Sequence, residues 1–271
     1  MTFFAFYDIV KKKGSDYVII KNDIPILEFD TDKDAVLAPN HEKLPLSLPE
    51  RCVFAFLGEY IYEYARAHGG KCLGEFESAT KAYPVYEIEH KGERVCLCQA
   101  PVGASASAQI LDWLIAYGAR KIISAGSCGA LCDIDEGVFL IPYKALRDEG
   151  ASYHYAPPSR FIDISERARG AIKRALSAHG ICTKEVVTWS TDGFYRETRD
   201  KIAYRMDEGC EVVEMECSAL ASVAELRGAC LGMIFYTADS LANVEKYDKR
   251  SWGGNANEYA LTLCLDSVIE L

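Results

Sequence analysis

The chain has 271 residues, 49% of them apolar and 26% charged, with a net charge of −10 and an isoelectric point near 5.1. A chain of this size buries roughly 70 to 75% of its unfolded surface, which suits one large domain or two small ones and excludes long disordered stretches. The acidic balance argues against a nucleic-acid backbone or an anionic membrane as the main partner and leaves small molecules as the expected one. Eleven cysteines, with Cys96 and Cys98 two apart, Cys128 and Cys132 four apart and no CxxC pair, read as reduced, mostly buried thiols of a cytoplasmic protein. Neither a disulfide frame nor a metal site is expected. The opening MTFFAFYDIVKKKG has its apolar residues before its lysines, the wrong order for a secretory signal, and no apolar run nears the ~20 residues of a membrane span.

The first 50 or so residues read as a leading segment: Tyr17–Ile20 as a strand, Asn22-Asp23 as a turn before Ile24–Phe29, then prolines at 39, 45 and 49 that break regular structure. With few aliphatics it is an extension, not a domain with its own core. From Cys52 the order strand, glycine turn, helix takes over, with Cys52–Leu57 ending at Gly58 and Glu59–His68 closed by Gly69-Gly70. Tyr83–Glu89 and Arg94–Gln99 read as a hairpin about His90–Glu93. Pro101–Ser105 reads as a strand before a helix Gln109–Tyr117, and Lys121–Ser124 as a strand before a turn over Ala125–Ala130. Next come a strand Val138–Pro142, a loop Arg147–Ser159, a helix Glu166–His179 and a strand Lys184–Thr188. Glu211–Met215 is a strand with a helix after it, Cys230–Thr237 a strand before Ala238-Asp239-Ser240, and Asn257–Glu270 the last helix. Strands alternating with helices predict an α/β sheet covered on both faces, with loops at one sheet edge carrying function.

Two features suggest a site. Val212-Val213-Glu214-Met215-Glu216 places two acids at a strand-to-helix junction. There they either recognise a ligand at the carboxyl end of a strand or favour the positive end of a helix dipole. Gly126-Ser127-Cys128-Gly129 follows a strand and offers backbone N–H groups and a hydroxyl for an anion or a sugar, or is a plain tight turn. Gly58 and Gly103 hold similar strand-end positions, and the three turns meet only if their strands are parallel.

These blocks carry a resemblance. Gly126–Leu131, Val213–Glu216, Asp192-Gly193-Phe194-Tyr195 and Ala238-Asp239 resemble, in order and spacing, those of the nucleoside phosphorylase family: uridine phosphorylase, hexameric-type purine nucleoside phosphorylase and the hydrolytic methylthioadenosine/S-adenosylhomocysteine nucleosidases. Arg147–Tyr155 is similar to a loop of the uridine-phosphorylase branch. The resemblance covers about residues 41–271, so the expected division is an N-terminal extension, 1–40, and one family domain, 41–271. It implies a central mixed, twisted sheet flanked by helices and cleavage of the bond between a nucleobase and ribose C1'. No cofactor is implied, only inorganic phosphate as co-substrate in a phosphorylase.

By that resemblance Glu216 would grip the ribose hydroxyls, Met215 would pack beneath the sugar, Glu214 would lie nearby, and Phe194 would stack on the base unless it is core. Asp239 would protonate a leaving purine, its alternative being a helix N-cap. Arg199 would instead face a pyrimidine, so the base stays open. His41 matches a histidine reaching the ribose 5'-hydroxyl from a neighbouring subunit, or is a surface histidine; in the first case the protein is a homo-oligomer, dimer or hexamer, with shared sites. Gly58, Gly103, Ser127 and Lys81 would form the phosphate or water site. The chain departs from the family where Tyr62 and Ser124 replace two phosphate-binding arginines, a severe change for a dianion site. Glu63, i,i+4 from Glu59, stands at the interval where the nucleosidases place a water-activating glutamate, or is part of a solvated helix face. The leading expectation is a nucleoside phosphorylase releasing ribose 1-phosphate. The alternatives are a hydrolase with Glu63 as base and a nucleoside-binding protein without turnover.

Overall fold

The computed structural model describes residues 9–11, 18–254 and 256–271. Three short antiparallel strands, β1 (Ile9–Lys11), β2 (Val18–Ile20) and β3 (Phe29–Asp30), make a small sheet of their own. Tyr17, the first residue of the predicted strand there, lies outside the described residues. The leader is tied to the body: Arg227 Nη1 donates to the Lys33 carbonyl at 2.7 Å, and Leu48 N to the Tyr117 carbonyl at 2.8 Å.

The main sheet contains β4 (Arg51–Ala55), β5 (Lys71–Glu77), β6 (Ala82–His90), β7 (Glu93–Gln99), β8 (Lys121–Ala130), β9 (Phe139–Asp148), β10 (Phe161–Asp163), β11 (Lys184–Thr191), β12 (Cys210–Glu214) and β13 (Cys230–Ser240). Six helices accompany it: α1 (Tyr60–Ala67), α2 (Ala104–Ala116), α3 (Glu166–Ala178), α4 (Arg199–Asp207), α5 (Cys217–Arg227) and α6 (Asn257–Glu270). The central strands read as unbroken apolar runs because both their faces are covered. Cys52 and Phe54 of β4, Cys96 and Cys98 of β7, and Met233 and Phe235 of β13 pack in the core beneath α2 and α5. Their neighbours Val53, Ala55, Val95, Leu97, Ile234 and Tyr236 pack in the opposite core beneath α1, α3 and α6. The mixed α/β sheet flanked by helices is the architecture expected.

The topology makes room for a site in the middle of β8. One edge of β8 pairs along its length with β13. The other edge is shared: β4 runs parallel to it, Arg51–Val53 opposite Lys121–Ile123, while β12 runs antiparallel, Val212 and Val213 opposite Ala130 and Gly129. The carboxyl ends of β4 and β12 therefore approach each other along β8 and stop short, the last bond on the β4 side running from Phe56 N to the Ala125 carbonyl at 2.7 Å, which leaves a gap over residues 126–128. The pairings β8–β13, β13–β9, β9–β11, β11–β12 and β12–β8 close part of the sheet on itself.

Several boundaries differ from those read in the sequence. Gly126–Gly129 is no tight turn: it lies within β8, and a Cβ at Gly126 would meet the Phe56 ring at 3.3 Å. Pro101–Ser105 is no strand, because α2 begins directly after Gly103. β9 runs six residues past Pro142, which it accommodates beside a bulge where register with β11 shifts. β5 and α4 were not anticipated; both are rich in exposed charge and lack a clear apolar period.

Candidate active site

The gap beside β8 is a cavity lined by residues from β8, β12 and β13, the segments after β4 and β7, the turn before α4 and the loop before α6. β4 runs parallel to both β7 and β8, so the chain after β4 and β7 leaves on the same side as the carboxyl half of β8. Ser127 is the exposed residue of its strand and opens into the cavity, with Phe56, Val102 and Gly126 beside it.

Glu214 and Glu216 both line the cavity and are both 7% exposed, yet their environments differ. Glu214 accepts from Ser190 Oγ at 2.5 Å and Thr188 Oγ1 at 3.1 Å, and from the N–H groups of Glu216 and Cys217 at 2.7 Å each. Those last two are donors at the start of α5, so Glu214 caps that helix, and its roughly four lone-pair positions are all engaged. No acceptor remains for a ribose, which corrects the ribose-binding expectation for Glu214. Glu216, at the N-cap position, accepts the Gly103 N–H at 2.5 Å. Burial, and then the charge of Glu214, push its carboxyl up to about 8. Its second oxygen is free for a ligand, with Met215 half-buried next to it in the cavity wall. Gly103 has φ +103°, a backbone that suits glycine and aims its N–H at Glu216.

Asp239 lines the same cavity from β13. β13 carries one extra residue between Thr237 and Ser240 relative to β8, a bulge that turns Asp239 into the cavity. Among the described residues no helix starts there, so Asp239 is not an N-cap. It is 7% exposed and accepts the Tyr247 hydroxyl at 3.0 Å. Gly129 keeps this corner open, since a Cβ there would meet Leu241 Cδ1 at 2.9 Å, Val213 Cγ1 at 3.0 Å and Asp239 Oδ1 at 3.2 Å. Phe194, in a 3-10 turn and 43% exposed, and Trp252, 51% exposed, line the cavity, Phe194 edge-to-face with Tyr195 and Trp252 tilted against Tyr247. Phe194 is thus not core. Half-buried Glu197 also lines the cavity; burial, and then the charge of Asp239, push its carboxyl up to about 7.

Six expected residues do not line this cavity, and one of them, Gly103, reaches it only through the N–H it gives to Glu216. His41 lies on an exposed loop with Nδ1 3.0 Å from the Ala38 carbonyl oxygen. Arg199 points outward to Glu245, with Nε 3.2 Å from Oε1, so it faces no base within its own chain. Lys81 is held by Glu59 at 2.9 Å and Gln99 at 3.0 Å. Gly58, at φ +61°, makes the turn into α1 without lining the cavity. Glu63 sits on the exposed face of α1. Its water-activating role fails within one chain, because the helix presents Ile61, Tyr62 and Ala65 inward instead. Tyr62 is buried against Tyr86 at 5.9 Å, and Ser124 is wholly buried with no partner for its hydroxyl among the described residues. No Lys, Arg or His is among the described residues that line the cavity. Glu197, Tyr247 and Trp252 were missed; they come from charged or loop sequence whose spacing carries no period.

The model of a family described as the phosphorylase superfamily matches residues 50–269. A DeoD-type purine nucleoside phosphorylase of Bacillus cereus is 25% identical over 189 residues, 67% of this chain and 78% of that protein. The structure of uridine phosphorylase from Vibrio fischeri superposes with a TM-score of 0.71 at 24% identity, over 83% of this chain and 93% of that one. The 5'-methylthioadenosine/S-adenosyl homocysteine nucleosidase of Campylobacter jejuni superposes with a TM-score of 0.68 at 16% identity, over 82% of this chain and 100% of that one.

Proposed function

Because this chain belongs to the phosphorylase superfamily, we propose that its cavity breaks the N-glycosidic bond of a nucleoside whose base accepts a proton as it leaves. The observation that carries the reading is one cavity lined by two buried acids, Glu216 and Asp239, and by two part-exposed aromatics, Phe194 and Trp252. Such a bond breaks through an oxocarbenium-like state, which needs negative charge near the sugar and a proton for the departing base. Glu216 grips the ribose hydroxyls with its free oxygen; Met215 packs beneath the ring; Asp239 serves the base between the two aromatics.

The group that attacks C1' divides the reading in two. Phosphorolysis to ribose 1-phosphate, the leading expectation from the sequence, requires a dianion in a cavity whose lining includes four carboxylates and no Lys or Arg. Burial raises three of these acids, Glu197, Glu214 and Glu216, yet the described lining offers no positive charge, and at ~5 Å and an effective dielectric of ~20 any one of the four that is ionised opposes each phosphate charge by about 3 kcal/mol. Within one chain this favours water; phosphate requires cations from a second copy. The water reading no longer uses Glu63 as base. A cation at C1' captures water with little activation.

Incubating the protein with purine and pyrimidine nucleosides, with and without phosphate, and identifying the sugar product tests all of this. Free ribose without phosphate supports hydrolysis, and ribose 1-phosphate formed only with phosphate supports phosphorolysis. Tight nucleoside binding with no base released would leave a binding protein. Glu216→Ala is expected to lower kcat/KM by roughly hundredfold or more, as loss of a preorganised hydrogen-bonding group at the reacting sugar does; normal turnover in that variant would remove the ribose assignment.

A further inference from the structure

A chain of buried side chains leads from the loop after β9 to the start of α5. Glu149, the first residue past β9, accepts the Ser152 N–H at 3.0 Å and the Ser218 hydroxyl at 2.8 Å. Ser218 is the second residue of α5 and wholly buried. Its own N–H donates to Ser190 Oγ at 3.0 Å, the hydroxyl that in turn donates to Glu214. The loop itself is fixed by buried Arg147, which donates to Ser152 Oγ, Ser159 Oγ and the carbonyls of Ala156 and Pro157 at 2.7 to 3.1 Å. Next to Glu149, the Gly150 N–H donates to Asp192 Oδ2 at 2.8 Å, two residues before Phe194. Ile26 of the leader covers Gly150, its Cδ1 4.0 Å from where a Cβ would stand. Glu149, Ser218 and Asp192 do not line the cavity, yet each is joined to a segment that does.

Resting on the reading of this cavity as a nucleoside site, we propose that Glu149 is a positioning residue for Glu216: through Ser218 it fixes the first turn of α5, while through Gly150 the same loop holds the turn that carries Phe194. A buried carboxyl group is costly unless its hydrogen bonds are met, and this one is met from two separate elements. The Glu216 side chain does not cap its own helix, so the direction of its carboxyl follows from the backbone of this first turn and from the Gly103 N–H. Helix ends fray when their first donors lack partners. Glu214 and Ser190 meet the N–H groups of Glu216, Cys217 and Ser218 and so tie the turn to β11 and β12; the Ser218 hydroxyl ties it to the loop after β9 as well. Without that second tie the turn is free to shift, and a displacement of ~1 Å at a reacting group costs up to roughly hundredfold in rate. Because Glu216 is assigned to the ribose hydroxyls, the quantity most sensitive to its direction is the preference for ribosides over 2'-deoxyribosides.

The test compares adenosine and uridine with their 2'-deoxy forms, by kcat/KM from initial rates, or by Kd from calorimetry where a nucleoside is bound without turnover. Thermal unfolding serves as the folding control. Ser218→Ala removes only the hydroxyl and suits a helix. Glu149→Met keeps the length of the side chain and removes its acceptors, whereas Glu149→Gln retains one acceptor oxygen. Tyr153→Phe loosens the same loop by deleting the bond from the Tyr153 hydroxyl to the Arg147 carbonyl, with no link to α5. The intact protein is expected to prefer the riboside. In Ser218→Ala, kcat/KM for the riboside is expected to fall roughly tenfold or more while the 2'-deoxyriboside loses far less, so the preference shrinks. Glu149→Met is expected to act alike, Glu149→Gln to keep most of the preference, and Tyr153→Phe all of it. Combining Ser218→Ala with Glu149→Met is expected to add little, because both act through one bond. An unchanged preference in Ser218→Ala, losses that add in the double variant, or an equal loss in Tyr153→Phe would overturn the positioning role and leave bond cleavage standing. Nucleosides bound but not cleaved, with the riboside preference in Kd lost in Ser218→Ala, would support the role and remove the enzymatic reading. No preference for ribose in the intact protein would overturn the ribose assignment of Glu216 and this proposal together.

Discussion

Glu214 and Glu216 stand two residues apart and do different work. Glu214 satisfies four donors and holds the start of α5, so the helix-dipole explanation of this junction applies to it. Glu216 accepts the Gly103 N–H, with the Met215 N–H also favouring its charge, and lines the cavity, where burial pushes its carboxyl up to about 8. For a buried acid raised from the usual range near 4.5, the folded state binds more protons than the unfolded state between those two values. Stability contributed by this group is therefore greatest below about pH 4.5 and declines as pH rises toward about 8, with a slope of at most ~1.4 kcal/mol per pH unit. Glu216→Gln is expected to raise the unfolding temperature, with a gain that grows between about pH 5 and 8 in thermal melts; a gain independent of pH would contradict the raised carboxyl. The sequence shows that two acids share this junction but not which one caps, because that depends on Ser190 and Thr188, more than twenty residues away on β11. Glu197 was illegible for another reason: in Arg196-Glu197-Thr198-Arg199-Asp200 it reads as one of several solvated charges.

The parts of the site that sequence periodicity misplaced are irregularities within regular elements. Gly126–Gly129 has the composition of a turn, yet each glycine serves a close approach inside a strand, Gly126 to the Phe56 ring and Gly129 to the Asp239 corner. Gly129→Ala is expected to cost about 1 to 3 kcal/mol of stability and to lower kcat by displacing Asp239, measured by denaturant melts beside initial rates. Retained kcat in a folded variant would show that the bulge does not depend on that gap. The loop carrying Trp252 is held differently. Trp252 and Arg250 have φ of 57° and 46°, uncommon for residues with side chains, and Glu136 Oε1 accepts the N–H groups of Ser251 and Gly253 on either side of the tryptophan at 2.9 and 3.0 Å. Glu136→Ala is expected to free this loop, raising KM severalfold with a smaller effect on kcat and increasing tryptic cleavage at Arg250. Equal KM values would show that Trp252 is placed by its own packing.

At the scale of the whole molecule, alternating strands and helices made the α/β class readable, and the last helix, Asn257–Glu270, was readable to its ends. Closure of the sheet was not. It depends on pairings such as β12 with β8 and β13 with β9, between segments some eighty to a hundred residues apart, and local spacing carries no trace of them. A second copy of the chain is likewise beyond local pattern. His41 is exposed and outside its own chain's cavity, so the expected place for it to act is a neighbour's. Mixing separately inactive His41→Ala and Glu216→Ala proteins, after exchange of subunits, is expected to recover activity that neither shows alone. Failure to recover any, with mixed oligomers shown by mass spectrometry, would place each site within one chain.

The opposed approach of β4 and β12 along β8 has a consequence for how such a protein changes over time. The segment after β4 lines the cavity through Phe56, and the segment after β12 carries Glu216, the acid assigned to the sugar; each is anchored by its own strand pairing. Substitutions in one need not disturb the register of the other. The two cavity walls can therefore be inherited as separable modules, with the wall at Phe56 altered while Met215 and Glu216 remain in place.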